Sequence, residues 1–335
     1  MRAWVVERPR PIDKGPLAWV EKPVPEPAEG QLRVQVSACG VCRTDLHLAE
    51  GDLPPKHPLV VPGHQVVGTV EGLGPGCRRF EMGQRVGIAW LRHTCGKCRF
   101  CRRGSENLCL SPSFTGWDED GGYAEYAVVD EDYAYAIPND FSDEKAAPLL
   151  CAGIVGYRAL RRANLPPGGR LGIYGFGASA HLVAQVAIFE NASVHVMTRS
   201  HAAQQLAADL GVASVQGATD PPPEALDAAV IFAPVGDMVP VALDALDRGG
   251  TVAIAGIHLS RIPPIDYDTQ LFQERQIRSV TANTRLDGEE FLSLASGIPI
   301  QVTTTPYDLE QADKALMDLA HDRVQGAAVL RSAHR

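Results

Sequence analysis

Cysteine and histidine carry the chemistry that stands out first in this chain. Cys95, Cys98, Cys101 and Cys109 fall in CGKCRFCRRGSENLC, with gaps of two, two and seven residues. Two Cys-x-x-Cys steps wrap one ion and a fourth thiolate completes a tetrahedron, so the set reads as a closed structural zinc site. Cys42, His64 and Cys151, spread along the chain, read as a second set. Three protein ligands leave one position for water or substrate, which is the catalytic arrangement. Two thiolates and a neutral imidazole cancel the charge of Zn²⁺, yet the ion still polarises a bound oxygen. It lowers the pKa of bound water from about 15.7 toward 7, and an alcohol should respond alike.

A second chemical element follows in the chain. Gly175-Phe-Gly177-Ala178-Ser-Ala180 lies in RLGIYGFGASAHLVAQVAIFE, between an apolar strand-like run and a helix-like run. Gly175 permits the turn, Gly177 admits a pyrophosphate to the backbone, and Ala180 allows close helix packing. The helix N-terminus then faces the phosphates. The next strand ends in VHVMTRS, so the position that usually holds a ribose-binding acid offers Thr198, Arg199 and Ser200 instead. Arg199 suits a 2′-phosphate, with Thr198 or Ser200 donating, which favours NADP over NAD.

Positioning these groups takes two domains, as 335 residues suggest. Residues 1–150 read as a Gly- and Pro-punctuated β domain carrying the zinc lobe: QLRVQVSACG alternates apolar and polar, and VVGTVEGLG and QRVGIAW are strand-like. Residues 151–283 alternate strands and helices, which implies a doubly wound parallel sheet, with Leu182, Val183 and Val186 on one helix face. Gly249-Gly250 is expected to stop a helix before the strand at Thr251. Residues 284–335 read as strand, helix and strand returning to the first domain.

Net charge of −9 argues against nucleic acid and anionic membranes as partners. No apolar run approaches the roughly 20 residues of a membrane span. A cytoplasmic protein binding a small-molecule substrate is the expectation, and close cysteine spacing favours metal over disulfides there. Arg92, Lys97, Arg99, Arg102 and Arg103 are expected to offset the −2 charge of a Cys₄ zinc. Cys39 reads as a strand-end packing residue; a redox pair with Cys42 is the competing reading.

Taken in order, CGVCRTDLH, GHQ-x2-G-x5-G, the four-cysteine lobe, Cys151 and the glycine turn resemble the zinc-dependent alcohol dehydrogenases of the medium-chain dehydrogenase/reductase superfamily, over essentially the whole chain. The resemblance implies an α/β protein: a β-rich GroES-like catalytic domain plus a doubly wound Rossmann domain. It implies two zinc ions per chain and a homodimer or homotetramer. It implies that Cys42, His64 and Cys151 hold the catalytic zinc, that Thr44 bonds the substrate oxygen and passes its proton through the cofactor ribose to His47, and that Asp45 supports the site from behind. Trp90 and Leu53 match pocket positions, Leu53 where an aromatic is common, which implies a roomier pocket. The implied reaction moves a hydride between an alcohol, aldehyde or ketone and a nicotinamide. A polyol or amino-alcohol dehydrogenase, or a non-catalytic zinc- and nucleotide-binding sensor, are the competing readings. Gln65 departs from the pattern, which has Glu after the ligand histidine; Gln keeps the shape without the charge and is expected to be compatible with turnover.

Overall fold

A computed structural model describes residues 1–332. The chain divides into two compact units: Met1–Cys151 with Ala282–Ser296 and the segment from Thr303 onward, and Ala152–Thr281 with Gly297–Val302. Cys151 thus closes the first unit rather than opening the second. Residues 297–302 go back to the second unit, where the sequence reading kept everything after 283 together.

In the first unit, among the described residues, the largest sheet runs in the order Thr304–Asp308, Ala327–Arg331, Gln31–Val41, Val66–Leu73, Arg85–Ile88, Ala134–Ala136, with a seventh strand, Tyr126–Asp130, paired to the Gln31–Gln35 end of the central one. Gln31–Val41 is central. It alternates half-buried and buried residues up to Ala38 and is buried from there to Val41, so one face of its first half meets the core and its second half is enclosed. Leu32, Val34, Val36, Val66, Val70, Val86 and Ile88 fill that core together with Ala328 and Leu330 from the last strand. Leu91–His93 and Ser113–Phe114 form a short antiparallel ribbon that closes the four-cysteine lobe at its base.

In the second unit, among the described residues, six parallel strands run in the order Ser214–Gln216, Ser193–Met197, Arg170–Tyr174, Leu226–Ile231, Leu246–Ile254, Gln276–Ser279. That is the 3-2-1-4-5-6 order of a Rossmann sheet, with its switch point beside the first strand. Leu171, Ile173 and Tyr174 are fully buried, as a strand covered on both faces requires. Leu182, Val183 and Val186 are buried on Ala178–Phe189. Gly156 of the helix Ala152–Ala163 lies where a Cβ would come 2.5 Å from Val183 Cγ2, so the close approach of the two helices needs a glycine. One expectation fails here. The helix Met238–Asp244 ends before Gly249-Gly250, and both glycines lie within the strand Leu246–Ile254, where Gly249 (φ 74°) accommodates an irregular stretch. No helix among the described residues is long and apolar enough to cross a membrane.

Candidate metal centres and dinucleotide turn

Strand pairing creates the three-ligand set. The register places Cys39 opposite Val66, and Gly40 N–H donates to the Gln65 carbonyl at 2.9 Å. The end of one strand and the approach to the next are thereby held side by side, with Cys42 leaving the first and His64 entering the second. Cys42 then caps the helix Arg43–Glu50: its N–H donates to the Asp45 carboxylate at 2.9 Å while its carbonyl accepts from the Asp45 N–H at 3.1 Å. Cys151 is delivered differently. It follows the short 3₁₀ turn Ala147–Leu150, whose Leu149 and Leu150 are fully buried, and Leu150 packs so tightly on Gly87 that a Cβ there would be 2.7 Å from it. The ligand atoms of Cys42, His64 and Cys151 lie within 4.8 Å of one another. Tetrahedral zinc–sulfur bonds place ligand atoms about 3.8 Å apart, so the donor set fits that ion.

Asp45, 2 % exposed, organises the set. Its carboxylate accepts from Cys42 N–H at 2.9 Å, Gly63 N–H at 3.1 Å, His64 Nδ1–H at 3.1 Å and Tyr123 O–H at 3.3 Å. Donation from Nδ1 leaves Nε2 of His64 as the ligand atom. Burial alone would lower the His64 pKa; the Asp45 carboxylate and Cys42 outweigh it and push the ring up to about 10. The hydrogen bond from Cys151, set against burial, holds Cys42 well below the ordinary thiol range, and the same bond drives Cys151 well above it. A cation on these lone pairs must displace the protons of His64 and Cys151, whereas Cys42 gives up its proton readily.

Thr44 Oγ1 lies 3.7 Å from Cys42 Sγ and is buried. His47 lies in the last turn of that helix: its Nδ1 is 3.0 Å from Asp52 Oδ2, and its carbonyl accepts from Gly51 and Leu53, each at 3.0 Å. Leu53 is half-buried in that loop. Trp90 meets His64 edge-on, with ring centroids 5.0 Å apart at 73°. Gln65 is buried, its side chain against Gly40, where a Cβ would come within 2.7 Å. Cys39 is buried with its Sγ directed at the Gly40 carbonyl, as a packing residue is.

The sulfurs of Cys95, Cys98, Cys101 and Cys109 also lie within 4.8 Å of one another. Backbone N–H groups point at them: Cys95 and Ser111 donate to Cys109 Sγ at 3.3 and 3.4 Å. Those of Cys101 and Leu110 lower Cys98 to about 6, whereas desolvation raises Cys101 to about 11. Arg99 and Arg103 stack over Phe100 at 4.8 and 4.7 Å beside the lobe. Arg92 departs from the expected role: it is buried and its guanidinium donates to the Val128 carbonyl, because the strand Leu91–His93 directs it inward.

In the second unit Gly175 (φ 85°) follows the first strand, and its N–H donates to Met197 O at 2.8 Å. A Cβ on Gly175 would crowd Ala233 at 3.0–3.3 Å. Gly177 differs: its φ is −120° and a Cβ would meet nothing within 4 Å. Neither backbone nor packing asks for glycine there; the open space before the helix Ala178–Phe189 suits a pyrophosphate. Ala178 is half-buried at the start of that helix, and Ala180 is fully buried against the sheet side. Thr198, Arg199 and Ser200 directly follow the strand Ser193–Met197; Thr198 is buried, Arg199 and Ser200 are exposed, and no carboxylate stands among them. The sequence reading did not find Asp52, Phe114, Trp117 or Tyr123: Asp52, Trp117 and Tyr123 join the first site from loops and Phe114 from the strand paired with Leu91, and the aromatics Phe114 and Trp117 on either side of Thr115-Gly116 were the available signal.

Comparison with known proteins agrees with this geometry. Residues 28–139 match the alcohol dehydrogenase GroES-like domain. The chain is 59% identical to "Probable alcohol dehydrogenase AdhA" of Mycobacterium tuberculosis, over 98% of this chain and 97% of that one. It is 35% identical to an alcohol dehydrogenase of Geobacillus stearothermophilus, over 99% of each. A cobalt- and zinc-bound thermostable alcohol dehydrogenase from Pyrobaculum aerophilum shares its fold with a TM-score of 0.89 at 24% identity, over 99% of each chain.

Proposed function

This chain belongs to the zinc-dependent medium-chain alcohol dehydrogenases, an oxidoreductase family, and from that premise we propose that it oxidises a primary or secondary alcohol, or reduces the matching aldehyde or ketone, with zinc and NADP. One observation carries the reading: a three-donor set, Cys42, His64 and Cys151, with the Thr44 hydroxyl 3.7 Å from the Cys42 sulfur. Bound zinc would supply Lewis-acid polarisation of the substrate oxygen, and a bound nicotinamide would supply or accept the hydride. The residues of the chain do the rest. Asp45 orients His64 and takes up the N–H groups of Cys42 and Gly63. Thr44 hydrogen-bonds the substrate oxygen and moves its proton toward His47. Asp52 holds Nδ1 of His47 and so fixes the ring that exchanges that proton. Cys95, Cys98, Cys101 and Cys109 hold a second, structural zinc.

The space at Gly177 and the helix N-terminus behind it support binding of the pyrophosphate. Support for NADP comes from Arg199 and Ser200, exposed at the end of the second strand, with buried Thr198 beside them and no acid to repel a 2′-phosphate. The quaternary state in this reading is a homodimer or homotetramer, which light scattering checks.

The test measures initial rates of NADPH and NADH oxidation by zinc-loaded protein over a panel of aldehydes. Cys42→Ser abolishes turnover in this reading and would change little in a non-catalytic sensor. Arg199→Asp reverses the cofactor preference; unchanged NADPH use in that variant would discard the role given to Arg199.

A further inference from the structure

Three aromatic rings of the metal-ligand unit lie nearly parallel. Trp90 and Phe114 are 4.9 Å apart at 18°, Trp90 and Trp117 6.0 Å at 10°, and Phe114 and Trp117 5.8 Å at 27°. The ribbon that closes the cysteine lobe explains two of them: Leu91 pairs with Phe114, and the N–H of Thr115 donates to the carbonyl of Trp90 at 2.9 Å. Trp117 is held from the other side. Its Nε1–H donates to Pro54 O at 2.9 Å, and Lys56 Nζ lies 4.6 Å over its ring. The same loop carries Asp52 on His47 and Leu53 on the His47 carbonyl. At the far edge, Trp90 touches the metal ligand His64.

Trp117 packs against Val6, Leu48 and Val60, and Phe114 against the main core, whereas Tyr123 in the same unit is sealed at 0% exposure. Trp90, Phe114 and Trp117 each remain half-buried, so large apolar surface stays within reach of a ligand next to a metal set. Parallel rings offer a flat wall, and a planar π-system gains offset stacking on such a wall that a short alkyl chain does not.

The geometry points to Trp117 as a specificity-determining residue that, with Phe114 and Trp90, makes the site favour planar aromatic or conjugated alcohols and aldehydes over small aliphatic ones. The assignment rests on the dehydrogenase reading above. Trp117→Leu removes the ring and its donor; Trp117→Phe keeps a ring. The experiment compares kcat/KM for benzaldehyde and acetaldehyde in the zinc-loaded wild type and both variants, with calorimetric titration of benzyl alcohol and metal analysis alongside. Wild type should prefer benzaldehyde, Trp117→Leu should lower that preference roughly tenfold, chiefly through KM, and Trp117→Phe should restore most of it. An equal loss on both aldehydes, or an unchanged ratio with metal retained, overturns the assignment. If wild type turns over neither aldehyde but binds benzyl alcohol, and Trp117→Leu weakens that binding, the dehydrogenase reading fails while the aromatic wall stands. If wild type neither turns over nor binds, both fall.

Discussion

At the scale of single residues, Asp45 shows how much one carboxylate can organise. It accepts four hydrogen bonds, one each from Cys42, Gly63, His64 and Tyr123. Asn in its place has one acceptor oxygen and brings two donors. Asp45→Asn should therefore lower zinc affinity at the three-ligand set by roughly 10- to 100-fold, read by competition with a chromophoric chelator; unaltered affinity would show that the strands alone orient His64. His181 gives a second prediction, on pH. Its Nδ1–H donates to Gly177 O at 3.2 Å, and burial lowers its pKa to about 4. An unfolded histidine titrates near 6.5, so between 6.5 and 4 the unfolded chain binds more protons than the native one. Stability conferred by the neutral ring is complete above about 6.5 and is lost as pH falls toward 4, by roughly 3 kcal/mol. Urea denaturation of His181→Gln should show a flatter dependence than wild type across that window, the metal-linked part being common to both; parallel curves would contradict the assignment. That Cys42, His64 and Cys151, and the four lobe cysteines, would be brought together was legible from spacing and motif. Tyr123 was not, because its hydroxyl reaches Asp45 from 78 residues away and no local pattern announces it.

At the scale of elements, the glycine turn separates fold from function. Gly175 needs its positive φ, and a side chain on it would strike Ala233. Gly177 has neither constraint. Gly177→Ala should leave the melting temperature within about 2 °C, since surface changes away from special geometry cost little, yet raise KM for the nicotinamide at least roughly tenfold, because the methyl occupies the space of the pyrophosphate. A lower melting temperature with unchanged KM would reverse that division. The same paired strands explain which elements could be read from sequence. Gln31–Val41 and Arg170–Tyr174 carry strong apolar patterns and were legible. The helix Arg285–Gly297 was missed, since Gly288 and the run Asp287–Glu290 dilute its apolar stripe of Phe291, Leu292 and Ala295. Gly288 has its own reason: a Cβ would come 2.4 Å from the ring of Tyr135. The end of Met238–Asp244 was misplaced because two glycines look like a helix stop wherever they fall.

At the scale of the whole molecule, the cysteine lobe is tied to chain that arrives much later. Glu106 Oε1 accepts from the Arg285 backbone at 3.0 Å, the Arg285 guanidinium lies 5.0 Å over Tyr133, and Tyr133 O–H is 2.7 Å from Thr94 Oγ1 at the mouth of the lobe. Cys98→Ser should empty the closed set of metal, lower the melting temperature on the order of 5–10 °C, and speed hydrogen exchange in Arg285–Gly297; exchange unchanged in that helix would show the tie to be incidental. The central sheet has the same long reach. Gln31–Val41 pairs with Ala327–Arg331, two strands nearly 300 residues apart. A ribosome adding roughly 5–20 residues per second leaves the Ala38–Val41 end of that edge open for tens of seconds, although Tyr126–Asp130 covers Gln31–Gln35 early. Cys42, His64 and Cys151 have all emerged well before then, so zinc capture can precede closure of the sheet, and a chain cut short before Ala327 would offer the bare Ala38–Val41 end of its central strand, which Tyr126–Asp130 does not cover, to other nascent chains.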